Sequence, residues 1–126
     1  MEYTHLFRQL TDATRLRILV TLWNGPLCVC HLVEILDEPQ AKISKQLSQL
    51  RRAGLLQVKR VRNWSVYRLA EPRKELVNTV IGGISTDIAS EPQLVHDEER
   101  RVILIERLAK NPGCCPLPAE SLQQHL

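Results

Sequence analysis

The sequence predicts a mainly α-helical domain with a small β-hairpin, arranged as a winged helix-turn-helix. Three observations point to this class. A short apolar helix is separated from a polar-faced one by only three residues, Asp37-Glu38-Pro39. The second helix is followed by LLQVKRVRNWSVYRLA, whose alternation reads as a hairpin. Between Gln40 and Arg68 stand eight basic residues and no Asp or Glu, so the net charge of +3 leaves −5 for the rest of the chain. A single-sign segment in a chain of opposite balance suits an anionic partner.

The elements follow in order. Leu6, Leu10, Ala13, Leu16, Leu19, Val20 and Trp23 keep helical spacing, broken near TDAT, where Thr11 or Asp12 can cap a second helix. Asn24-Gly25-Pro26 ends it. A short helix from about Leu27 to Leu36 carries Leu32, Val33, Ile35 and Leu36 as its apolar side. From Gln40 to Ala53, Ile43, Leu47 and Leu50 form one stripe, and Gly54 is placed to end the helix. The hairpin is expected to have about four residues per strand with Arg62-Asn63 at the reversal; Trp64 and Tyr67 read as wing packing. Helical spacing then resumes, interrupted at Gly82-Gly83 and at Glu91-Pro92. The expected organisation is a winged helix-turn-helix domain over 1–90, an additional helix over 91–110, and a flexible Cys- and Pro-containing tail over 111–126.

At 126 residues the chain is long enough for one domain with a real core. No apolar run approaches the ~20 residues of a membrane span, and the first residues lack a secretory pattern. The expectation is a cytoplasmic protein whose cysteines, Cys28, Cys30, Cys114 and Cys115, are reduced thiols suited to metal or redox chemistry.

In this layout the first helix of the pair braces and the second enters the major groove of double-stranded DNA, while the wing reaches the backbone or minor groove. Gln40, Lys42, Ser44, Lys45 and Gln46 lie in the N-terminal half of the second helix and are of types that bond base edges. Arg51, Arg52, Lys59, Arg60, Arg62 and Arg68 are candidates for phosphate contacts, which give affinity and register without reading sequence. The bland alternative is a solvated basic face.

LTDATRLRIL, LCVCHLVEILDEPQAKISKQLSQLRRAGLL and RNWSVYRL, taken together over about residues 5–72, resemble the ArsR/SmtB family of metal-responsive repressors, and in particular its arsenic-sensing members. The resemblance implies a homodimer that represses an operator and releases it when metal binds. It places the dimer contact on Glu2–Leu10 and on a helix from roughly Arg73 to Ala89, with Leu76, Val77, Val80, Ile81 and Ile84 as contact candidates. It makes Cys28 and Cys30 the first two thiol ligands of arsenite. The sequence departs from the family signature at Pro26 and His31, which replace acidic residues, and at Val33, which stands where a third cysteine belongs. The family's zinc site would fall on Gly83, Ser85, His96 and Glu99, and the first two cannot ligate.

Residues two apart on a helix are turned by about 200° from each other, so a Cys-x-Cys pair can chelate only where the backbone is not regular helix. Gly25-Pro26 sets the pair in a distortable first turn, and closing both thiols on one ion is expected to unwind the start of the bracing helix. A third ligand for As(III) can come from Cys114 or Cys115, from a small external thiol, or from water. His31 suits Zn(II) better than As(III). Two alternatives share the fold: a Cd(II), Pb(II) or Zn(II) sensor, and a redox switch using the strained disulfides of Cys-x-Cys or adjacent cysteines. No phosphate-binding glycine loop and no cysteine with a plausible His partner suggests an enzyme.

Overall fold

The computed structural model describes residues 2–111. Its elements are α1 (Glu2–Arg8), a 3-10 turn (Gln9–Thr11), α2 (Ala13–Trp23), β1 (Leu27–Cys28), α3 (Val29–Leu36), α4 (Gln40–Arg52), β2 (Leu56–Val61), β3 (Trp64–Leu69), α5 (Glu71–Gly83), α6 (Ser85–Ser90) and α7 (Pro92–Lys110). This is a winged helix-turn-helix: α3 and α4 form the helix pair, and β2 and β3 the wing.

Local chemistry sets the boundaries. Asp12 caps α2, its carboxylate accepting the Arg15 N–H at 3.0 Å, a bond typically worth ~1 kcal/mol. Gly25 has φ 135°, which a side chain would oppose, and turns the chain out of α2 into β1. α3 stops at Asp37, which adopts the left-handed conformation at φ 53° and donates its N–H to the Val33 carbonyl at 3.0 Å. α4 ends in a Schellman motif: Leu55 N–H bonds the Leu50 carbonyl and Gly54 N–H the Arg51 carbonyl, each at 3.0 Å, with Gly54 at φ 80°.

One core joins the elements. Ile18 and Leu19 of α2, Leu32 and Ile35 of α3, and Ile43, Leu47 and Leu50 of α4 are all fully buried together. The apolar stripe expected on α4 is thus the face that docks. Leu104 and Ile105 of α7 join the same cluster. Two polar fastenings strengthen that seam. Arg17 of α2 meets Asp97 through Nε–Oδ2 at 2.8 Å and Nη2–Oδ1 at 2.9 Å. Arg100 of α7 donates to the Ile35 carbonyl at 2.9 Å and also to the Glu34 carbonyl, satisfying the C-terminal end of α3.

The structure corrects four expectations. Leu27 and Cys28 do not open a helix; they form a two-residue strand, and the sheet has the order β1-β3-β2. Such a strand is too short to leave an alternation in the sequence. The wing strands have six residues each, closed by Val61 opposite Trp64 around Arg62-Asn63. The helix expected from roughly Arg73 starts at Glu71, while the interruption expected at Gly82-Gly83 is present and divides the segment into α5 and α6. Finally, Val77 and Ile81, expected at a dimer contact, are buried within the protomer's own core. Cys114 and Cys115 lie outside the described residues.

Candidate functional site

The thiol pair sits where strand becomes helix. Cys28 is the last residue of β1, with φ −78° and ψ 162°, and at the same time the N-cap of α3. Cys30 is the second residue of the helix. The extended backbone at Cys28 removes the opposed orientation that a regular helix would impose on the pair. Cys28 is buried and Cys30 exposed. Sγ of Cys28, Sγ of Cys30 and a ring nitrogen of His31 all lie within 4.8 Å of one another. The clustering belongs to the fold itself, so bringing the two thiols together would not require the unwinding of α3 that the sequence suggests.

His31 completes a capping box with Cys28. The Cys28 N–H donates to His31 Nδ1 at 3.2 Å, and the Cys28 side chain accepts from the His31 N–H. Nδ1 is therefore the acceptor nitrogen and Nε2 carries the proton of the neutral ring. Nε2 is buried and has no hydrogen-bond partner among the described residues. Burial lowers the His31 pKa; Glu34 pulls it up and Arg107 of α7 pushes it further down. Val33, at the position of the family's third cysteine, is half-buried and packs on the core. The sequence singles out the two cysteines; it gave little weight to His31, which only the strand-to-helix turn brings to them.

The basic residues divide into three groups. On α4, Gln40, Lys42, Ser44 and Lys45 are exposed, with Lys42 Nζ 3.2 Å from Glu38. Gln46 is turned back toward α2: it is half-buried, and its side-chain oxygen accepts from Arg15 at 3.1 Å, beside Gln49 at 2.7 Å. Ser48, absent from the sequence-based candidates, is exposed one turn beyond Ser44. Its signal was its place in the i, i+4 series on the outer face. Arg51, Lys59 and Arg68 meet at a groove between the end of α4 and the wing, floored by Leu56 and Val58. Lys59, Arg60 and Arg62 are exposed on the wing, and Arg62 forms its tip.

A second feature is apolar. Leu6, Phe7 and Leu10 of the first helical segment, with Leu76 and Val80 of α5, line an apolar groove. Tyr3, Phe7 and Ile84 are exposed large apolar residues around it. Among the described residues no helix is long and apolar enough to cross a membrane.

Known proteins share both the sequence pattern and the architecture. The profile of the arsR family of bacterial regulatory proteins matches residues 12–58. The arsenic resistance transcriptional regulator ArsR2 of Pseudomonas putida is 33% identical over 112 residues, covering 87% of this chain and 95% of its own length. ArsR1 of the same organism is 40% identical over 80 residues, which is 63% of this chain and 62% of that protein, so less than two-thirds of ArsR1 is spanned. The crystal structure of the transcriptional repressor BigR from Xylella fastidiosa superposes with a TM-score of 0.57 at 30% identity, covering 64% of this chain and 84% of that one.

Proposed function

The chain belongs to the arsR family of bacterial regulatory proteins, and from that premise we propose that it is a homodimeric repressor whose operator complex is dissolved when arsenite or antimonite binds Cys28 and Cys30. The observation that carries this reading is the position of Cys28. It belongs to the sheet of the wing, opposite Val66 of β3, and it caps α3, the helix packed on α4. An ion bound there touches both parts of the DNA-binding unit at once.

In this reading α4 enters the major groove with Gln40, Lys42, Ser44 and Lys45 toward the bases, and Arg51, Arg52, Lys59, Arg60, Arg62 and Arg68 engage phosphates. Gln46 contributes by bonding Arg15, which ties α4 to α2. The homodimer forms across α1 and α5, where Tyr3, Phe7, Val80 and Ile84 offer apolar surface that the protomer leaves uncovered. With Val33 in place of a third cysteine, the remaining arsenic ligand is drawn from Cys114 or Cys115. α7 supports this by running back along α3, so that its Arg107 reaches Glu34 at 2.9 Å, one turn from Cys30. Linkage requires arsenite and operator to weaken each other's binding by the same factor.

The test is fluorescence anisotropy of the reduced protein on the DNA upstream of its own coding sequence. Arsenite is expected to release the wild type and fail on Cys28→Ser. A Cys114→Ser/Cys115→Ser variant with a weakened response places the third ligand in the tail. Arsenite that leaves the wild-type complex intact refutes the effector, and a complex released only by an oxidant makes the pair a redox switch.

A further inference from the structure

Three donors converge at the start of α3, and one is held in an unusual condition. His31 is only 4% exposed, yet its Nε2 meets no acceptor among the described residues. A buried polar nitrogen without a partner is costly and calls for a reason. Two thiolates and one imidazole form a recurrent donor set for zinc, with the fourth tetrahedral position open. We propose that a divalent thiophilic ion, zinc(II) or cadmium(II), binds Cys28 Sγ, Cys30 Sγ and the His31 imidazole, and that binding opens the half of the α3 capping box in which the imidazole accepts the Cys28 N–H. The inference rests on the reading that Cys28 and Cys30 are the sensing thiols. It goes beyond that reading by adding a second class of ion, with His31 rather than a tail thiol as its third donor, and a structural event.

The geometry is close to what such an ion needs. Zinc–sulfur bonds of about 2.3 Å in a tetrahedron put two sulfurs about 3.8 Å apart. The donors lie within 4.8 Å of one another, so the sulfur–sulfur pair needs a contraction of no more than about 1 Å and a sulfur–nitrogen pair, about 3.5 Å apart in such a site, slightly more. Cys30 is exposed and can supply it by a side-chain rotation. Each thiol gives its proton to solvent as its metal–sulfur bond forms, while the neutral imidazole has a lone pair ready and releases none.

The imidazole's half of the capping box is lost whichever ring nitrogen ligates. Coordination through Nδ1 takes the lone pair that now accepts the Cys28 N–H. Coordination through Nε2 displaces the proton from that nitrogen onto Nδ1, which then presents N–H to N–H. In both cases the Cys28 amide loses its acceptor. The Cys28 sulfur keeps further lone pairs, so its bond from the His31 N–H can survive. One half of the capping box therefore opens, at the residue that also pairs with Val66. Arsenite, which requires the same two thiols, competes with the divalent ion for the site.

The full-length protein can be titrated with Co(II) as a spectroscopic stand-in, then with Zn(II) in competition. His31→Gln is the informative variant, because Gln at this position of a capping box still accepts the N-cap N–H but replaces the imidazole. The wild type is expected to give tetrahedral cobalt bands with a thiolate charge-transfer transition. His31→Gln is expected to bind at least about tenfold more weakly, since even outer-shell losses cost 10- to 100-fold, with the metal-free unfolding midpoint unchanged. Hydrogen exchange at the Cys28 amide is expected to quicken when the wild type binds Zn(II). Equal Co(II) affinity and spectra in His31→Gln, no cobalt binding by the wild type, or an unchanged Cys28 amide each overturn the proposal. Arsenite-triggered DNA release separates the two claims: persistence in His31→Gln with loss in Cys28→Ser upholds the sensing thiols whatever the cobalt result.

Discussion

Replacing Asp97 by Ala tests whether α7 is fastened to the helix-turn-helix by charge as well as by packing. Arg17 and Asp97 meet in a two-bond fork at 2.8 and 2.9 Å, with side chains 10% and 4% exposed. The carboxylate holds the Arg17 pKa above its ordinary value through its hydrogen bond, against the lowering effect of burial. Deleting one partner of a buried pair costs roughly 3–5 kcal/mol, because the surviving charge stays desolvated. Here Arg17 keeps the Leu36 carbonyl at 2.7 Å and Glu38 at 3.2 Å, so the lower end applies, about 3 kcal/mol. For a domain of this size that corresponds to a fall in Tm of roughly 10 °C. The assay is urea unfolding at one fixed protein concentration, since the proposed dimerisation would make stability concentration-dependent. Arg107→Ala is the control: its pair with Glu34 is 54% and 46% exposed and should be worth under about 1 kcal/mol. An Asp97→Ala loss no larger than the control's refutes the reasoning.

Three further outcomes are expected. Because burial depresses the His31 pKa, the unfolded chain takes up its proton first as pH falls; the stability is whole above about pH 6.5 and is lost as pH drops through that value toward the lower folded one. His31→Gln should flatten urea midpoints between about pH 7 and 5 relative to wild type, and parallel curves refute this. Arg62 occupies φ 58° at the wing tip, so Arg62→Gly should relieve up to about 1 kcal/mol of backbone strain while weakening DNA binding and lowering the salt slope by about 1; an unchanged slope removes Arg62 from the phosphate contacts. Ser44→Ala and Lys45→Ala should alter discrimination between operator variants, whereas Gln46→Ala should lower stability without changing base preference, and a relaxed preference in Gln46→Ala shows that the side chain leaves Arg15 on DNA.

What was legible in the sequence follows from how each feature is encoded. The α4 stripe of Ile43, Leu47 and Leu50 and the Gly54 stop are local, repeated signals, and they correspond to the buried face and to the Schellman motif. The three-residue turn is equally local. β1 was hidden because it is defined by a partner about forty residues away, Tyr67 opposite Leu27. The orientation of Gln46 was hidden for a related reason: it depends on Arg15, in another helix. Among the thiol residues, Cys28 and Cys30 carry their chemistry in their identity, whereas His31 becomes relevant only through the extended backbone at Cys28 and the burial supplied by neighbouring elements. The fastening of α7 was invisible for the same reason, since Arg17 and Asp97 lie eighty positions apart.

The two ends of α3 are held very differently, and this decides where the helix can respond. At its C-terminal end, Arg100 satisfies the Glu34 and Ile35 carbonyls, Arg17 takes the Leu36 carbonyl, and Arg17 is itself locked to Asp97. These bonds join α2, α3 and α7 into one unit whose disruption costs several kcal/mol. At the N-terminal end the restraints among the described residues include a two-residue strand and one capping box, each bond contributing about 1 kcal/mol. A ligand binding at Cys28 therefore acts on the weakly held end, where a modest differential affinity is enough to shift the balance. The anchored end sets the pivot. Displacement of the N-terminal turn is transmitted to the wing through the pairing of Cys28 with Val66, while the Asp37–Pro39 turn into α4 stays with the anchored unit. On this argument the wing, rather than α4, is the first part of the DNA-binding surface to move.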